Sequence, residues 1–140
     1  MRLVVDTNIL ISAFFWGGVP GRILEAARQE RCIIVSSEFL LAELLTVLQK
    51  SKFAERLQQM NRTPQQFLQN YRALVEVVGV VPLPQPICDD PDDDNVLACA
   101  ISGDADAIVS GDDDLLRLES YAGIPILKSA EFLERLANPD

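Results

Sequence analysis

Short apolar runs alternate with segments of helical periodicity along this chain. The apolar runs predict strands at Leu3–Val5, Cys32–Val35, Val77–Leu83, Ala107–Val109 and Ile124–Leu127. The periodic segments predict helices at Asn8–Phe15, Gly21–Gln29, Glu38–Lys50, Pro64–Glu76, Pro91–Ser102 and Ala130–Ala137. Strands that alternate with helices form parallel sheets covered on both faces. We therefore expect one α/β domain, residues 1–140, built as a three-layer α/β/α sandwich with a mainly parallel sheet of about five strands.

Composition adds an expectation about the cellular compartment. No apolar run approaches the roughly 20 residues that span a bilayer, and the strand-like start leaves no room for a signal peptide. The three cysteines are an odd number without metal-type spacing, which indicates reduced thiols. We expect a cytoplasmic protein with no membrane partner.

The acidic residues are concentrated in one window. Ten of the 21 acids lie between Asp89 and Asp114, where there is no Lys or Arg, so this window accounts for the net charge of −9. The chain contains no His. Like charges packed together repel unless a cation neutralises them, and hard divalent metals prefer oxygen ligands. A metal site built from carboxylates is the first hypothesis, and a solvated charge run is the alternative.

The positions of four acids favour the metal site. Asp6 and Asp112 follow strand-like runs and Asp94 lies in the first turn of a helix, so all three belong to the carboxyl edge of a parallel sheet, where sites form. Glu43 lies in a helix that is apolar on most sides, where an unpaired carboxylate is costly. Each acid also has a structural alternative: the three edge residues can cap helices, and Glu43 can pair with an Arg in the core.

Four blocks of the sequence resemble the PIN domain. They are Val4-Val5-Asp6-Thr7-Asn8-Ile9-Leu10, Ser37-x5-Glu43-Leu44, Asp92-Asp93-Asp94-x-x-Leu97-Ala98-x-Ala100 and Ala107-Ile108-Val109-Ser110-Gly111-Asp112-x-Asp114-Leu115. The similarity extends in order over nearly the whole chain and is greatest to the VapC-like toxins of toxin–antitoxin systems. It implies a parallel α/β/α sandwich and an Mg²⁺- or Mn²⁺-dependent endoribonuclease, with a small antitoxin as partner.

The resemblance also implies which residues form the site. The acids expected to bind metal and to act in catalysis are Asp6, Glu43, Asp94 and Asp112. The supporting residues are Asp114, a candidate fifth metal ligand, and the polar Asn8 and Ser110. Asp93 is the alternative for the third acid, because that acid stands in a run of three. Helical phase favours Asp94, which lies three and four positions before Leu97 and Ala98.

An RNA substrate requires positive charge, and residues 50–72 supply it. The candidate RNA-binding residues are Lys50, Lys52, Arg56, Arg62 and Arg72, against Glu55 alone. A solvated helical face explains these residues equally well. We further expect a homodimer. Two rival functions stay open. One is a PIN-like fold kept only for binding a partner protein. The other, a haloacid-dehalogenase-type phosphatase, has less support because that family has an Asp where this chain has Asn8.

Overall fold

The structure, a computed structural model, describes residues 1–138. Its strands are β1 (Arg2–Val5), β2 (Ile33–Ser36), β3 (Glu76–Val77), β4 (Ala107–Val109), β5 (Ser120–Tyr121) and β6 (Ile124–Leu127). Its helices are α1 (Thr7–Trp16), α2 (Gly18–Arg28), α3 (Glu38–Leu48), α4 (Ala54–Gln59), α5 (Pro64–Leu74), α6 (Pro91–Ser102), α7 (Asp113–Leu116) and α8 (Ser129–Ala137), with a short 3-10 helix at Ser51–Phe53.

The six strands form one sheet in the order β3-β2-β1-β4-β6-β5. Four of the pairings are parallel, and only β5 runs antiparallel, against β6. The predicted α/β fold with a mainly parallel sheet is therefore confirmed. The chain first builds outward from β1 on one side and then continues with β4 on the other side. Strand order thus reverses between β1 and β4, the kind of place where α/β sheets form their sites.

Alternating side chains of the strands separate two cores, one on each face of the sheet. Leu3 and Val5 belong to a core shared with α1, α2, α3, α5 and α8, whereas Val4 lies in the core under α6 and α7. The period of two along a strand makes this division. Helix α6 packs closely enough that a Cβ at Gly103, just past its end, would lie 2.4 Å from a Val35 methyl carbon.

Several predicted elements end earlier than expected, and four short elements were not among those predicted: β5, α4, α7 and the 3-10 helix. The strand predicted at Val77–Leu83 pairs only over Glu76–Val77, because Gly79 and the prolines that follow do not support a sheet ladder. The helix predicted at Pro64–Glu76 ends at Leu74. Helix α4 is too short for its periodicity to be read from the sequence.

Among the described residues, no single helix is long and apolar enough to cross a membrane; α1 and α2 reach that length and composition only as a pair, which is bent by 96°. The three cysteines are free thiols, as predicted.

Candidate active site

Asp6 and Asp112 meet at the carboxyl ends of β1 and β4, and Ser110 joins them. The backbone N–H of Asp6 donates to the carbonyl oxygen of Val109, which brings the two strand ends together. The Ser110 hydroxyl, which is fully buried, donates to Asp6 Oδ2 at 2.8 Å and accepts the backbone N–H of Asp112 at 3.0 Å. The predicted neighbourhood of these three residues is thus present in the structure.

Both acids also cap the helices that follow them. Asp6 Oδ1 accepts the backbone N–H of Thr7, and Asp112 Oδ1 accepts that of Asp114. Capping and metal binding were alternatives in the sequence, but a carboxylate has about four acceptor positions and can do both. Each carboxylate oxygen of Asp6 accepts one hydrogen bond from the protein and keeps a further lone pair with which it can bind a metal ion.

Asp93, rather than Asp94, completes this group of acids. One carboxylate oxygen from each of Asp93, Asp112 and Asp114 lies within 4.8 Å of the others. Asp93 is 6% exposed, and burial, followed by the nearby charge of Asp112, raises its pKa to about 7. A carboxyl group that is buried beside other acids is protonated more easily, because burial and the neighbouring negative charges both destabilise its charged form.

The orientation predicted for Asp94 is wrong. Its carboxylate accepts the backbone N–H groups of Cys88 at 2.8 Å and Ile87 at 3.3 Å, so it anchors the loop before α6. The buried face of α6 runs through Val96 and Ala100, three and seven positions after Asp93. The residue seven positions after Asp94 is Ile101, which is 40% exposed. The sequence alone did not show which of the two faces packs on the sheet.

Glu43 reaches the same edge from α3. Its carboxylate accepts the Thr7 hydroxyl at 2.5 Å. Burial raises its pKa, and Asp92 and Asp6 add to the shift by their charges. No Lys or Arg among residues 1–138 forms an ion pair with it, so the alternative of a core Arg partner does not apply. Sequence reasoning missed Thr7 and Asp92 as its neighbours, although both lie inside the quoted blocks.

The remaining predicted site residues lie further out. Asn8 is exposed, and Asp114 is an exposed acid whose Oδ1 is 3.4 Å from Arg117 Nη1. Burial raises the pKa of Asp6 as well, although hydrogen bonds from Ser110 and Thr7 oppose the shift. The centre of the site is therefore a set of buried or half-buried carboxylates, and Arg117 lies beside Asp114 at its exposed rim.

The carboxylates fit a divalent cation in both donor type and spacing. Oxygens that bind Mg²⁺, Mn²⁺ or Ca²⁺ at 2.0–2.6 Å lie at most about 5 Å apart, and those of Asp93, Asp112 and Asp114 satisfy this limit. Burial and the charge of Asp112 raise the pKa of Asp93, and a bound cation would offset both effects. The set is made of oxygen donors alone, which suits a hard ion.

The five candidate RNA-binding residues do not form one free patch. Arg72 is paired with Glu38 at 2.7 Å, and Arg56 donates to the carbonyl oxygen of Phe15 at 2.6 Å. Lys52 lies over the ring of Phe53. The remaining two candidates, Lys50 and Arg62, line a recess of about 450 Å³ between α3, α4 and the start of α5.

A groove of about 780 Å³ lies away from the acids. The ends of α1 and α5 form its walls together with α2, and none of the four predicted acids lines it. Its floor is apolar and aromatic, including Phe14, Phe67 and Tyr71, and Arg22, Arg28 and Arg62 lie among the lining residues.

The sequence from residue 2 to residue 114 matches the family model of the PIN domain. This match includes all of the acids at the carboxyl edge. The chain belongs to the PIN domain family. An uncharacterized protein of Methanocaldococcus jannaschii is 29% identical over 122 residues, which are 84% of this chain and 75% of that protein.

Solved structures share the fold of this PIN domain. One is the VapBC2 complex of Rickettsia felis bound to a DNA fragment from its promoter; the TM-score is 0.62 at 19% identity, over 91% of this chain and 98% of that one. Another is VapBC-1 of nontypeable Haemophilus influenzae, with a TM-score of 0.57 at 16% identity, over 93% and 99% of the two chains. Family membership supports a nuclease, that is, a hydrolase of nucleic acid.

Proposed function

We propose that this PIN domain is an Mg²⁺- or Mn²⁺-dependent endoribonuclease that hydrolyses RNA phosphodiester bonds as the toxin of a toxin–antitoxin pair. The observation that carries the proposal is the group formed by Asp6, Asp93 and Asp112 at the switch in strand order. No Lys or Arg among residues 1–138 forms an ion pair with any of these three acids. A structural role does not explain why buried like charges are placed together at a cost in stability.

The chain's own residues would hold the ion through carboxylates. We assign Asp6, Asp93 and Asp112 as ligands, with Glu43, which Thr7 links to Asp6, and with Asp114 at the rim. A divalent ion, when bound, lowers the pKa of a water molecule and neutralises charge on the phosphate. Ser110 keeps Asp6 and Asp112 at a fixed separation, since its hydroxyl contacts both residues. The chain has no His to act as a general base, so an ion held by these carboxylates would have to supply the activation of water.

The decisive experiment compares Asp6→Asn with Asp113→Asn in a cleavage assay on single-stranded RNA. The amide keeps the size of Asp6 but not its charge, so we expect at least a roughly hundredfold loss of cleavage. Asp113 is an exposed acid next to Asp112 without an assigned role, so its amide variant should cleave like wild type. Wild-type activity should disappear in EDTA. Cleavage in EDTA, or by Asp6→Asn, would contradict a metallo-ribonuclease.

A small antitoxin is the proposed partner. The support is that the two solved structures described above come from VapBC complexes. Co-expression of the chain with the product of a short adjacent reading frame should yield a complex that no longer cleaves RNA. A complex without any cleavage by the free chain would favour the rival function, a PIN-like fold kept for binding. Hydrolysis of small phosphate esters in place of RNA would favour the phosphatase.

A homodimer stays a prediction. Light scattering after size-exclusion chromatography should give twice the 15.5 kDa of one chain. A mass of one chain at micromolar concentration would contradict it.

A further inference from the structure

Thr7 contacts two acids that come from different parts of the chain. Its backbone N–H donates to Asp6 Oδ1 at 2.8 Å, and its hydroxyl donates to Glu43 Oε2 at 2.5 Å. Thr7 and Glu43 are 36 positions apart, so the second contact is tertiary and is not part of the cap of α1. Thr7 is only 5% exposed, which keeps solvent from competing for its hydroxyl.

We propose that Thr7 is the positioning residue of Glu43, whose carboxylate it holds beside Asp6 for binding a divalent cation. The proposal rests on the proposed function and adds a residue to the same site. Thr is β-branched, so its χ1 angle is restricted and its hydroxyl has a defined direction. Glu43, in contrast, has three rotatable bonds and is half-buried. A fixed donor therefore limits the conformations that the longer side chain adopts.

The surroundings of Glu43 make this donor necessary. Asp92 and Asp6 both lie close enough to repel the Glu43 carboxylate, and no cation of residues 1–138 pairs with it. Thr7 provides the one side-chain hydrogen bond to Glu43 from an uncharged group among these residues. Without it, repulsion would move the carboxylate away from Asp6 and toward solvent.

The test is Thr7→Val, which keeps the branched shape of the side chain and replaces the hydroxyl with a methyl group. The backbone N–H that contacts Asp6 is unchanged by this substitution. We expect Mn²⁺ affinity, measured by calorimetry on the full chain, to fall about tenfold. We also expect kcat for RNA to fall while KM changes little, because Thr7 is buried and therefore shielded from a bound RNA. Thr7→Ser restores the hydroxyl and should recover most of the Mn²⁺ affinity.

Two controls separate positioning from packing. Thr46→Val removes a hydroxyl from the same helix as Glu43, but that hydroxyl bonds to the carbonyl of Ala42, so Mn²⁺ affinity should stay at the wild-type value. In a Glu43→Gln background, Thr7→Val should cause little further loss, because the two residues act through one contact. Equal losses in both backgrounds would overturn the proposal, as would unchanged Mn²⁺ affinity in Thr7→Val. If Thr7→Val does not fold, Thr7→Ala serves in the same cycle.

Failure of the proposed function is visible separately. A wild-type protein that binds Mn²⁺ but leaves RNA intact would contradict the ribonuclease and still allow the Thr7 cycle to be measured. A wild-type protein that does not bind Mn²⁺ would overturn both.

Discussion

The two edges of the sheet contain the same kinds of residue in opposite arrangements. At the amino edge, the Arg2 guanidinium binds both oxygens of Glu76, at 2.8 and 3.2 Å, and the Arg2 backbone N–H donates to Asp106 at 2.8 Å. At the carboxyl edge, Asp93 and Asp112 lie close together, and among residues 1–138 Arg117 forms an ion pair only with exposed Asp114.

The pKa values of acids at the two edges shift in opposite directions. The Arg2 hydrogen bond lowers the pKa of Glu76, whereas burial raises the pKa of Asp93 to about 7. Glu76 is paired with Arg2, whereas buried Asp93 has no ion pair among residues 1–138 and keeps its capacity for an external cation. The difference in pairing, rather than the number of acids, distinguishes the candidate site from the rest of the surface.

The largest effect is expected from Asp93→Asn at the carboxyl edge. Loss of a charged ligand should weaken Mn²⁺ binding by about a hundredfold, measured by calorimetry. The metal-free protein should become more stable, because one repulsion is removed.

The neighbour Asp94 is the matched control. Asp94→Asn should keep Mn²⁺ affinity within about threefold of wild type and lower stability by about 1 kcal/mol, because its bonds to the backbone before α6 weaken. If Asp94→Asn loses metal and Asp93→Asn does not, the assignment of the two residues is reversed.

A smaller effect is expected from Ser110→Ala, which removes the link between Asp6 and Asp112. The acids remain, but their separation is no longer held. Mn²⁺ affinity should fall about tenfold, as for other residues that orient ligands. Equal metal affinity in Ser110→Ala and wild type would show that the backbone alone positions the two acids.

The pH dependence of stability should differ between the two edges. The pKa of Asp93 is raised from 3.8 to about 7 in the folded state, so its contribution to stability is present below about pH 4 and is lost as pH rises through about 7. The melting temperature of the metal-free protein should therefore fall between about pH 4 and pH 7. Saturating Mn²⁺ or Asp93→Asn should reduce this fall. A melting temperature that rises over this range would contradict the assignment.

The smallest effect is expected at the amino edge. Glu76→Gln breaks an exposed ion pair with Arg2, and such pairs contribute little. The melting temperature should change by no more than about 2 °C, with Mn²⁺ affinity unchanged. A change in metal affinity would show that the two edges are coupled.

The sequence by itself determined the fold class and the part of the chain that carries the site. The period of two in the strands and the longer period in the helices specify a parallel sheet between helices, and each acid that follows a strand is placed at the carboxyl edge. Asp6 and Asp112 were predictable for this reason, since their positions follow from the ends of β1 and β4, whereas Ser110 was predicted from the resemblance to the PIN domain. The family's motifs pointed to the same residues.

Only the tertiary structure decided between Asp93 and Asp94 and joined Thr7 to Glu43. In a run of three acids at the start of a helix, neighbours differ by about 100° in direction, and either direction has apolar residues three and four positions later. Which direction faces the sheet depends on how α6 packs against β1 and β4. The contact of Thr7 with Glu43 depends likewise on the approach of α3 to α1, a property of packing that no local pattern contains.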